Sequence, residues 1–379
     1  MAKKLFLILF VFLFFVFYLL SSNNAFAQTT SLNIKETFFK GKVVEILKQG
    51  TESVNGVGVY SQHLKVQILE GSEKDKTVVI DRNLDPKLSY QKSVKGEEVV
   101  VKKQEAENKT QYFIYEPYRL NSLLYLAVFF LLFIVFVAGK RGIGAVLGLA
   151  ISIIVIGFYI IPQTIQGQDP LKICLIGSFI ILLTSTYLAH GISVKTTIAV
   201  GSTGISLLFA AWISAYFVNL LHIFGLGSEE IYNLQIGNSI NPKGLLLGSI
   251  LIGTLGALND ITTTQAITMF TLVRENPKQK MLDLFEKGMD IGKEHIASLI
   301  NTLVLAYAGS SLAVFIFLEL NPAKLPWWVI LNNESTIEEI LKSLAGSTAL
   351  ILAVPITTLL AAWVALKKFT PIKPGFKRS

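Results

Sequence analysis

Apolar and polar positions divide the chain into three parts. Residues 5–20 form an apolar run behind a basic start, MAKK. Residues 28–119 contain short runs in which apolar and polar residues partly alternate, and such alternation predicts strands. From Leu120 onward the chain is dominated by apolar runs near the ~20 residues that a helix needs to cross a bilayer. The pattern predicts a small all-β domain followed by a helical membrane domain.

The first 27 residues have the order of a secretory signal peptide. A basic start precedes an apolar centre, and Ala25-Phe26-Ala27 forms a small-residue cleavage site before Gln28. We interpret residues 1–27 as a signal peptide. The alternative is an uncleaved anchor helix, because the apolar centre is slightly long for a signal. Either interpretation places residue 28 outside the cytoplasm.

Residues 28–119 predict a small extracytoplasmic all-β domain of about five strands. The predicted strands are KVVEIL, HLKVQIL, KTVVIDR, EEVVVKK and QYFIYE. Turn-forming stretches such as Asn55-Gly56 and Lys95-Gly96-Glu97 separate them. Five strands suit a barrel of the oligonucleotide/oligosaccharide-binding (OB) type, although strand count is the only support for that form.

Residues 120–366 predict a polytopic helical membrane domain, and residues 367–379 a basic cytoplasmic tail. We count about seven apolar runs of suitable length. They lie at about 120–138, 143–161, 171–189, 196–221, 244–273, 292–318 and 340–366.

The distribution of lysine and arginine predicts the orientation of these spans. With residue 120 outside, the cytoplasmic segments contain thirteen: Lys140, Arg141, Lys195, Arg274, Lys278, Lys280, Lys287, Lys293, Lys367, Lys368, Lys373, Lys377 and Arg378. The external loops contain four: Lys172, Lys243, Lys324 and Lys342. Basic residues favour the cytoplasmic side, so we expect a multi-pass protein of the cell membrane with an external β domain and a cytoplasmic C-terminus.

Composition supports the membrane assignment and excludes other classes. Hydrophobic residues make up 52% of the chain and charged residues only 16%, against roughly 25% charged in soluble domains. The net charge of +8 resides largely in short segments beside apolar runs, which does not suit nucleic-acid binding. The single cysteine, Cys174, excludes an internal disulfide and a CxxC metal site.

The stretch GTLGALNDITTTQ places a carboxylate inside the fifth span. Gly253, Gly256, Asp260 and Thr264 recur every three to four residues, so a helix gathers them on one face. A charge within a bilayer costs several kcal/mol unless it meets a partner or water, so we expect Asp260 to have a polar neighbour. The alternative is that the span ends near Leu258 and Asp260 caps a further helix.

The sixth span offers a partner for Asp260. Asn301 and Thr302 lie about 11 Å of helix beyond Glu294, deep enough to be inside the hydrocarbon. A buried asparagine there must be hydrogen-bonded, so Asp260, Asn301, Thr302 and Thr264 form our candidate ion or translocation site. Alternatively, Asn301 only holds two helices together.

The turn HGISVKTT, between the third and fourth spans, contains His190 and Lys195. A histidine titrates near physiological pH, but one at this position more often ends a helix. Lys195 agrees with the preference of basic residues for the cytoplasmic side.

Three motifs resemble the YibE/F family of multi-pass bacterial membrane proteins over about residues 40–320: HGISVKT, GTLGALND and GMDIGKEHIASLINTLVLAYAGSSL. The resemblance implies an external β-rich segment and a helical membrane domain, and it implies architecture more than chemistry. The matching positions are His190, Gly191, Lys195, Thr196, Gly253, Gly256, Asp260, Gly288, Gly292, Asn301 and Thr302. Of these, Gly253, Gly256, Gly288 and Gly292 are expected to permit close packing of helices. Departures at Lys293-Glu294-His295 and Ser298-Leu299 put roles for Glu294 and Ser298 in doubt.

Two classes of function follow from these features, and a third class, an enzyme, is not expected. A transporter of an ion or small solute explains a charge inside the membrane. A non-catalytic receptor or assembly component, binding an external ligand through the β domain, explains that domain. No HExxH, nucleophile elbow, Walker loop or dinucleotide fingerprint occurs in a suitable context, so we predict no enzyme, cofactor or metal site. The lipid bilayer is the expected partner, and nucleic acid is not.

Overall fold

The computed structural model describes residues 35–54, 57–85, 91–106, 109–237, 240–320 and 324–369. The predicted signal peptide and all but the first three residues of the predicted basic tail lie outside these ranges. Contacts divide the chain between Phe133 and Ile134 into two units. The β unit and the helical bundle are therefore described separately.

The β unit contains one antiparallel sheet of five strands in the order β3-β2-β1-β4-β5. The strands are β1 (Lys35–Val54), β2 (Val57–Ile68), β3 (Thr77–Leu84), β4 (Glu98–Ala106) and β5 (Lys109–Pro117). The five predicted strands are confirmed. The sheet curls into a half-barrel whose edge strands, β3 and β5, approach each other without pairing. The OB-type barrel stays a prediction.

The long central strand β1 organises the sheet by pairing with two neighbours. Its first part pairs with β4, and from Gly41 onward it pairs with β2. A Cβ atom on Gly41 would lie 2.8 Å from side-chain atoms of both Val66 and Val101. Glycine is therefore required where the two ladders overlap, because a side chain would push the neighbouring strands away.

Alternating positions of the strands form the core of the β unit. Val43, Leu64, Val66 and Val101 are fully buried. Burial of such a side chain contributes roughly 1.5–3 kcal/mol, so this inner face supplies most of the driving force for folding the unit.

Glu73, in the turn after β2, connects that turn to β4 and β5. Its carboxylate accepts hydrogen bonds from Lys103 on β4, from Tyr112 on β5 at 2.7 Å and from Lys76 at 3.0 Å. The Lys103 ammonium is the main reason why the pKa of Glu73 falls from 4.5 to about 2. The ionised side chain therefore stabilises the contact between distant strands.

The helical region begins with α1, which breaks in its middle. The helices are α1 (Leu120–Val155), α2 (Ile161–Ile165), α3 (Pro170–His190), α4 (Val194–Leu220), α5 (Glu229–Gly237), α6 (Pro242–Glu275), α7 (Met281–Ser310), α8 (Leu312–Leu320), α9 (Trp327–Leu331) and α10 (Glu334–Phe369). A π-helical turn, Ile156–Ile160, joins α1 to α2. Gly139 has φ 57°, and a Cβ atom on Gly142 would lie 2.6 Å from the Ile134 carbonyl oxygen. Residues eight apart in a straight helix are about 12 Å apart, so the chain bends sharply at Gly139.

Successive long helices of the bundle run in alternating directions around α6. Thr186 of α3 bonds Asn259 and Pro170 contacts Gly244, so α3 runs parallel to α6. Thr203 near the start of α4 bonds Thr262, so α4 runs antiparallel to α6. We call the two ends of the bundle the His190 end and the Pro170 end.

The helices α7 and α10 pack on the other side of α6. The α7 glycines Gly288 and Gly292 contact Met269 and Gln265, respectively, so α7 runs antiparallel to α6. Gly346 near the start of α10 contacts Thr254, and Thr358 further along bonds Gln265, so α10 runs parallel to α6. The alternating directions of these long helices agree with a chain that crosses a membrane back and forth.

Within the described residues, five helices are long and apolar enough to cross a membrane: residues 120–165 as one helix, α3, α4, α6 and α10. The pair α7 and α8, bent by 61° at Ser311, is a sixth if it forms one span. Dividing residues 120–165 at Gly139 would give seven. The count of seven stays a prediction.

We predict that Glu73→Gln weakens the β unit by roughly 1–3 kcal/mol, because a charge-assisted hydrogen-bond network is lost. Stabilisation by this low-pKa carboxylate is fully present above pH 4.5 and disappears as the pH falls toward 2. Hydrogen exchange of β4 and β5 amides in the full-length protein should therefore be faster in the variant at pH 7 and nearly equal to wild type at pH 2. Glu45→Gln, which removes an exposed 3.7 Å pair with Lys65, is the control and should change exchange little.

We predict that Gly292→Ala destabilises the bundle by about 1–3 kcal/mol, because the added methyl group would overlap Val354 of α10. Gly256→Ala is the matched control: its Cβ would meet nothing within 4 Å, and alanine favours helix by up to about 1 kcal/mol. Thermal unfolding in detergent should show a lower Tm for Gly292→Ala alone. Equal Tm values would contradict close packing at Gly292.

Candidate functional site

The predicted stripe of the fifth span lies on the exposed face of α6. Gly253, Gly256, Asp260 and Thr264 are all exposed. The helix is continuous from Pro242 to Glu275, so the interpretation of Asp260 as the cap of a new helix is wrong. Gly256 contacts nothing near its Cβ position, whereas a Cβ on Gly253 would lie 2.7 Å from the Tyr307 hydroxyl. The expectation that Gly256 packs against a helix is therefore corrected.

Asp260 is level with the middle of the neighbouring apolar helix. Thr254 contacts Gly346, and Gln265 bonds Thr358. A residue of α6 therefore lies level with the residue of α10 whose number is about 92 higher. Equal helical rise places Asp260 beside position 353, the middle of the predicted span 340–366. Asp260 is therefore far from either end of that span.

The neighbouring helix α3 ends at this level. The bond from Thr186 to Asn259, at 2.6 Å, places the last turn of α3 beside Asp260. His190 lies four residues beyond Thr186, so α3 ends near position 263 of α6, and α6 continues for about twelve more residues, to Glu275. The side chain of Asp260 is thus exposed beside the last turn of α3.

Charged groups of four segments lie near the end of α3. His190, at the end of α3, interacts electrostatically with Asp260 and also with Arg141 and Lys195. Gly144 of α1 packs on the backbone of Leu188, which brings the start of the second arm of α1 to the end of α3. The structure thus brings His190, Lys195 and Asp260 into one charged cluster.

Asn301 and Thr302 do not belong to this cluster. Both are exposed on α7, and the Thr302 hydroxyl donates to the Ser298 carbonyl of its own helix. The buried face of α7 contains Leu284, Gly288, Gly292 and Leu303. Asn301 is two residues from Leu303, about 200° around the helix, so it points away from α6. The expected site that joins Asp260 to Asn301 is therefore corrected.

The amide that connects the helices is instead Gln265. Its Nε2 atom donates to the Gly288 carbonyl and to the Thr358 hydroxyl, each at 2.7 Å. Gln265 is fully buried, and its Oε1 atom has no hydrogen-bond partner among the residues that the structure describes. One side chain therefore joins α6, α7 and α10, and one acceptor is left free inside the bundle.

Other buried hydroxyl groups also lack a partner within the described residues, and we call this set the hydroxyl seam. Ser185 illustrates the usual arrangement, because its hydroxyl donates to the Ile181 carbonyl at 2.6 Å. The hydroxyls for which the described part of the chain offers no such bond are Ser178, Ser202, Ser206, Ser214, Thr263 and Ser347. An unsatisfied buried polar group costs about 1–3 kcal/mol, so each of these hydroxyls favours a polar partner such as water or a cation.

A pair of carboxylates, Glu334 and Glu338, holds a loop at the Pro170 end of the bundle. Glu334 accepts hydrogen bonds from the backbone N–H groups of Phe224, Gly225 and Leu226 at 2.8–3.1 Å. The buried Glu338 accepts one from Gly227 at 3.0 Å. The loop between α4 and α5 is thus held on the first turns of α10.

Sequence reasoning missed Gln265, Glu338 and the hydroxyl seam. Gln265 is the last residue of the stretch GTLGALNDITTTQ that contains Asp260. An amide in an apolar run needs a polar partner just as a carboxylate does. The pair Gly288 and Gly292, four residues apart, was the available signal for the packed face of α7, because small residues permit close helix approach. Following that face along α7 would have excluded Asn301.

Among the described residues, no group of three His, Cys, Asp or Glu side chains could hold a metal ion.

Comparison with known proteins supports the predicted family. The family described as YibE/F-like protein matches residues 126–367. The match begins later and ends later than the resemblance over residues 40–320 and covers the helical region, including His190, Asp260 and Gln265. No curated protein and no solved structure matches the chain. With nearly two thirds of its length matched by the family, the chain belongs to the YibE/F-like proteins.

Proposed function

We propose that this protein transports a small cation or proton across the cell membrane, with Asp260 and His190 as the groups that receive it at the His190 end. The observation that carries the proposal is the exposed carboxylate that lies level with the middle of α10 and beside the last turn of α3. Charged side chains within membrane spans are costly and usually line substrate or proton pathways. An exposed carboxylate within the membrane needs water or a mobile cation as its partner.

The pairing of a carboxylate with an imidazole supports cation or proton exchange. An imidazole can take up or release a proton near physiological pH, and Asp260 is the acidic member of the cluster. Protonation of Asp260 removes the negative charge that attracts a cation, and protonation of His190 adds a positive charge beside it, so proton uptake and cation release are coupled. Arg141 and Lys195 in the same cluster oppose the entry of further cations.

The hydroxyl seam supports a path through the interior. Oxygen atoms of hydroxyl and amide groups replace the hydration shell of a monovalent cation without adding charge. Divalent cations are instead held by carboxylates in most protein sites. Ser202 and Ser206 of α4 and Gln265 of α6 therefore suit a monovalent cation or a chain of water molecules.

We further propose that the His190 end faces the cytoplasm and that the β unit lies outside the cell. The distribution of basic residues favours this orientation. A ligand of the β unit would then be an external one.

We predict that Asp260→Asn reduces proton or monovalent-cation flux at least tenfold in vesicles that contain purified protein, because the charge that attracts the cation is lost. Asp290→Asn is the matched control. Asp290 is exposed and pairs with Lys293 on its own helix, so its loss should leave flux unchanged. Wild-type flux in Asp260→Asn would exclude Asp260 as the receiving group. Absence of flux in the wild type for every cation tested would favour the receptor or assembly alternative.

We predict that the double variant Ser202→Ala/Ser206→Ala reduces flux about thirtyfold while its folding stability stays the same or rises. Removing an unsatisfied buried hydroxyl relieves a desolvation cost, but each lost ligand weakens cation stabilisation by about 1 kcal/mol. Ser249→Ala is the control, because its hydroxyl already bonds the Leu246 carbonyl. Unchanged flux with a loss in Asp260→Asn would place the path along the exposed face of α6.

A further inference from the structure

We propose that the His190 end contains a binding pocket for the phosphate group of an anionic phospholipid. A cavity of about 210 Å³ lies between the start of α4, the last turns of α6 and the end of α10. Neither Asp260 nor any residue of the hydroxyl seam lines it, and Lys195 is the one residue that it shares with the charged cluster, so the proposal does not rest on the transport function.

Three cationic side chains from three different helices line this cavity. They are Lys195 of α4, Arg274 of α6 and Lys368 of α10. No acidic residue lines it, and within the part of the chain that the structure describes none of the three forms an ion pair. Three like charges around one small space repel each other, and an anion between them removes that repulsion. The charge of the site therefore selects an anion.

The geometry of the cationic groups suits a phosphate. Arginine presents parallel N–H donors that match two phosphate oxygens, and lysine adds point charges. The cavity also includes Ser193 and Val194 at the start of α4. Ser193 caps the Thr196 amide, while the first amides of a helix have no partner inside it and carry partial positive charge. Two different types of donor thus converge on the space.

The apolar wall of the cavity distinguishes a lipid from free phosphate. Ile267, Phe270 and Phe369 lie beside the cationic groups. Such a wall suits the glycerol and the first acyl carbons of a phospholipid, whereas it makes no favourable contact with an inorganic ion. A volume of about 210 Å³ accommodates the phosphate and glycerol, and the acyl chains would follow the apolar outer surface.

The position of the cavity along the helices agrees with a membrane surface. Its residues lie where the predicted apolar runs of α6 and α10 end, near positions 273 and 366, and where that of α4 begins. Basic pockets between membrane helices at this level bind the headgroups of anionic lipids. The occupant is therefore already present in the bilayer.

The test uses purified full-length protein in detergent and measures retained phosphatidylglycerol and phosphatidylcholine by native mass spectrometry. The variant Lys195→Gln/Arg274→Gln/Lys368→Gln should lose affinity for phosphatidylglycerol at least tenfold, since each basic group near an anionic lipid contributes appreciably. Lys278→Gln/Lys280→Gln/Lys287→Gln changes the net charge equally outside the cavity and should lose less than about twofold. Arg274→Lys, which keeps the charge but not the paired donors, should fall between them.

Three outcomes would overturn the proposal. Equal losses in both triple variants would mean general attraction to a basic surface. Equal retention of phosphatidylglycerol and phosphatidylcholine by the wild type would mean no selection by charge. Displacement of phosphatidylglycerol by inorganic phosphate at equal concentration would make free phosphate the ligand. An unchanged thermal unfolding curve for the cavity variant shows that the loss is not unfolding, and Arg274→Lys serves as the readout if the triple variant unfolds.

Discussion

The bundle depends on the close approach of α6, α7 and α10 around Gln265. Gly288 and Gly292 remove two side chains at this point, and the Gln265 amide then reaches both neighbouring helices. Polar groups in a membrane must find partners inside the protein, so this contact fixes the rotation of α7 as well as its distance. Once α7 turns its glycine face inward, its asparagine face is directed outward. From Gly256 to Thr264 the stripe of α6 is left open, whereas Gly253 faces Tyr307 of α7.

The sequence predicted much of the architecture because burial and length leave strong periodic signals. The predicted spans 171–189, 196–221 and 244–273 agree closely with α3, α4 and α6. It also placed Asp260, Gly253 and Thr264 on one face of a helix. It could not predict which face packs, because polar and small residues occur on both sides of α7 and only the neighbouring surfaces decide. The bend at Ser311 was not predicted either, because the apolar run 292–318 continues through it.

The polar features of the bundle occur at distinct levels along α6. Asp260 is level with the middle of α10, Gln265 lies about one and a half turns beyond it, and the cationic cavity follows near Phe270 and Arg274. Glu334 and Glu338 stand at the opposite end. Of these features, the one at the Pro170 end presents carboxylates, whereas the cavity at the His190 end presents basic groups.

The loop held by Glu334 has a practical meaning for protein engineering. Consecutive amides from Phe224 to Gly227 are engaged by carboxylates of α10, and Gly225 has φ 83°, which disfavours other residues. The segment therefore behaves as a rigid clamp rather than as a spacer between helices. An epitope or fluorescent reporter inserted there would separate α4 from α10, although sequence alone would recommend this glycine-rich connection. The exposed turn at Asn276 and Lys278, whose bonds stay local, offers a gentler insertion point.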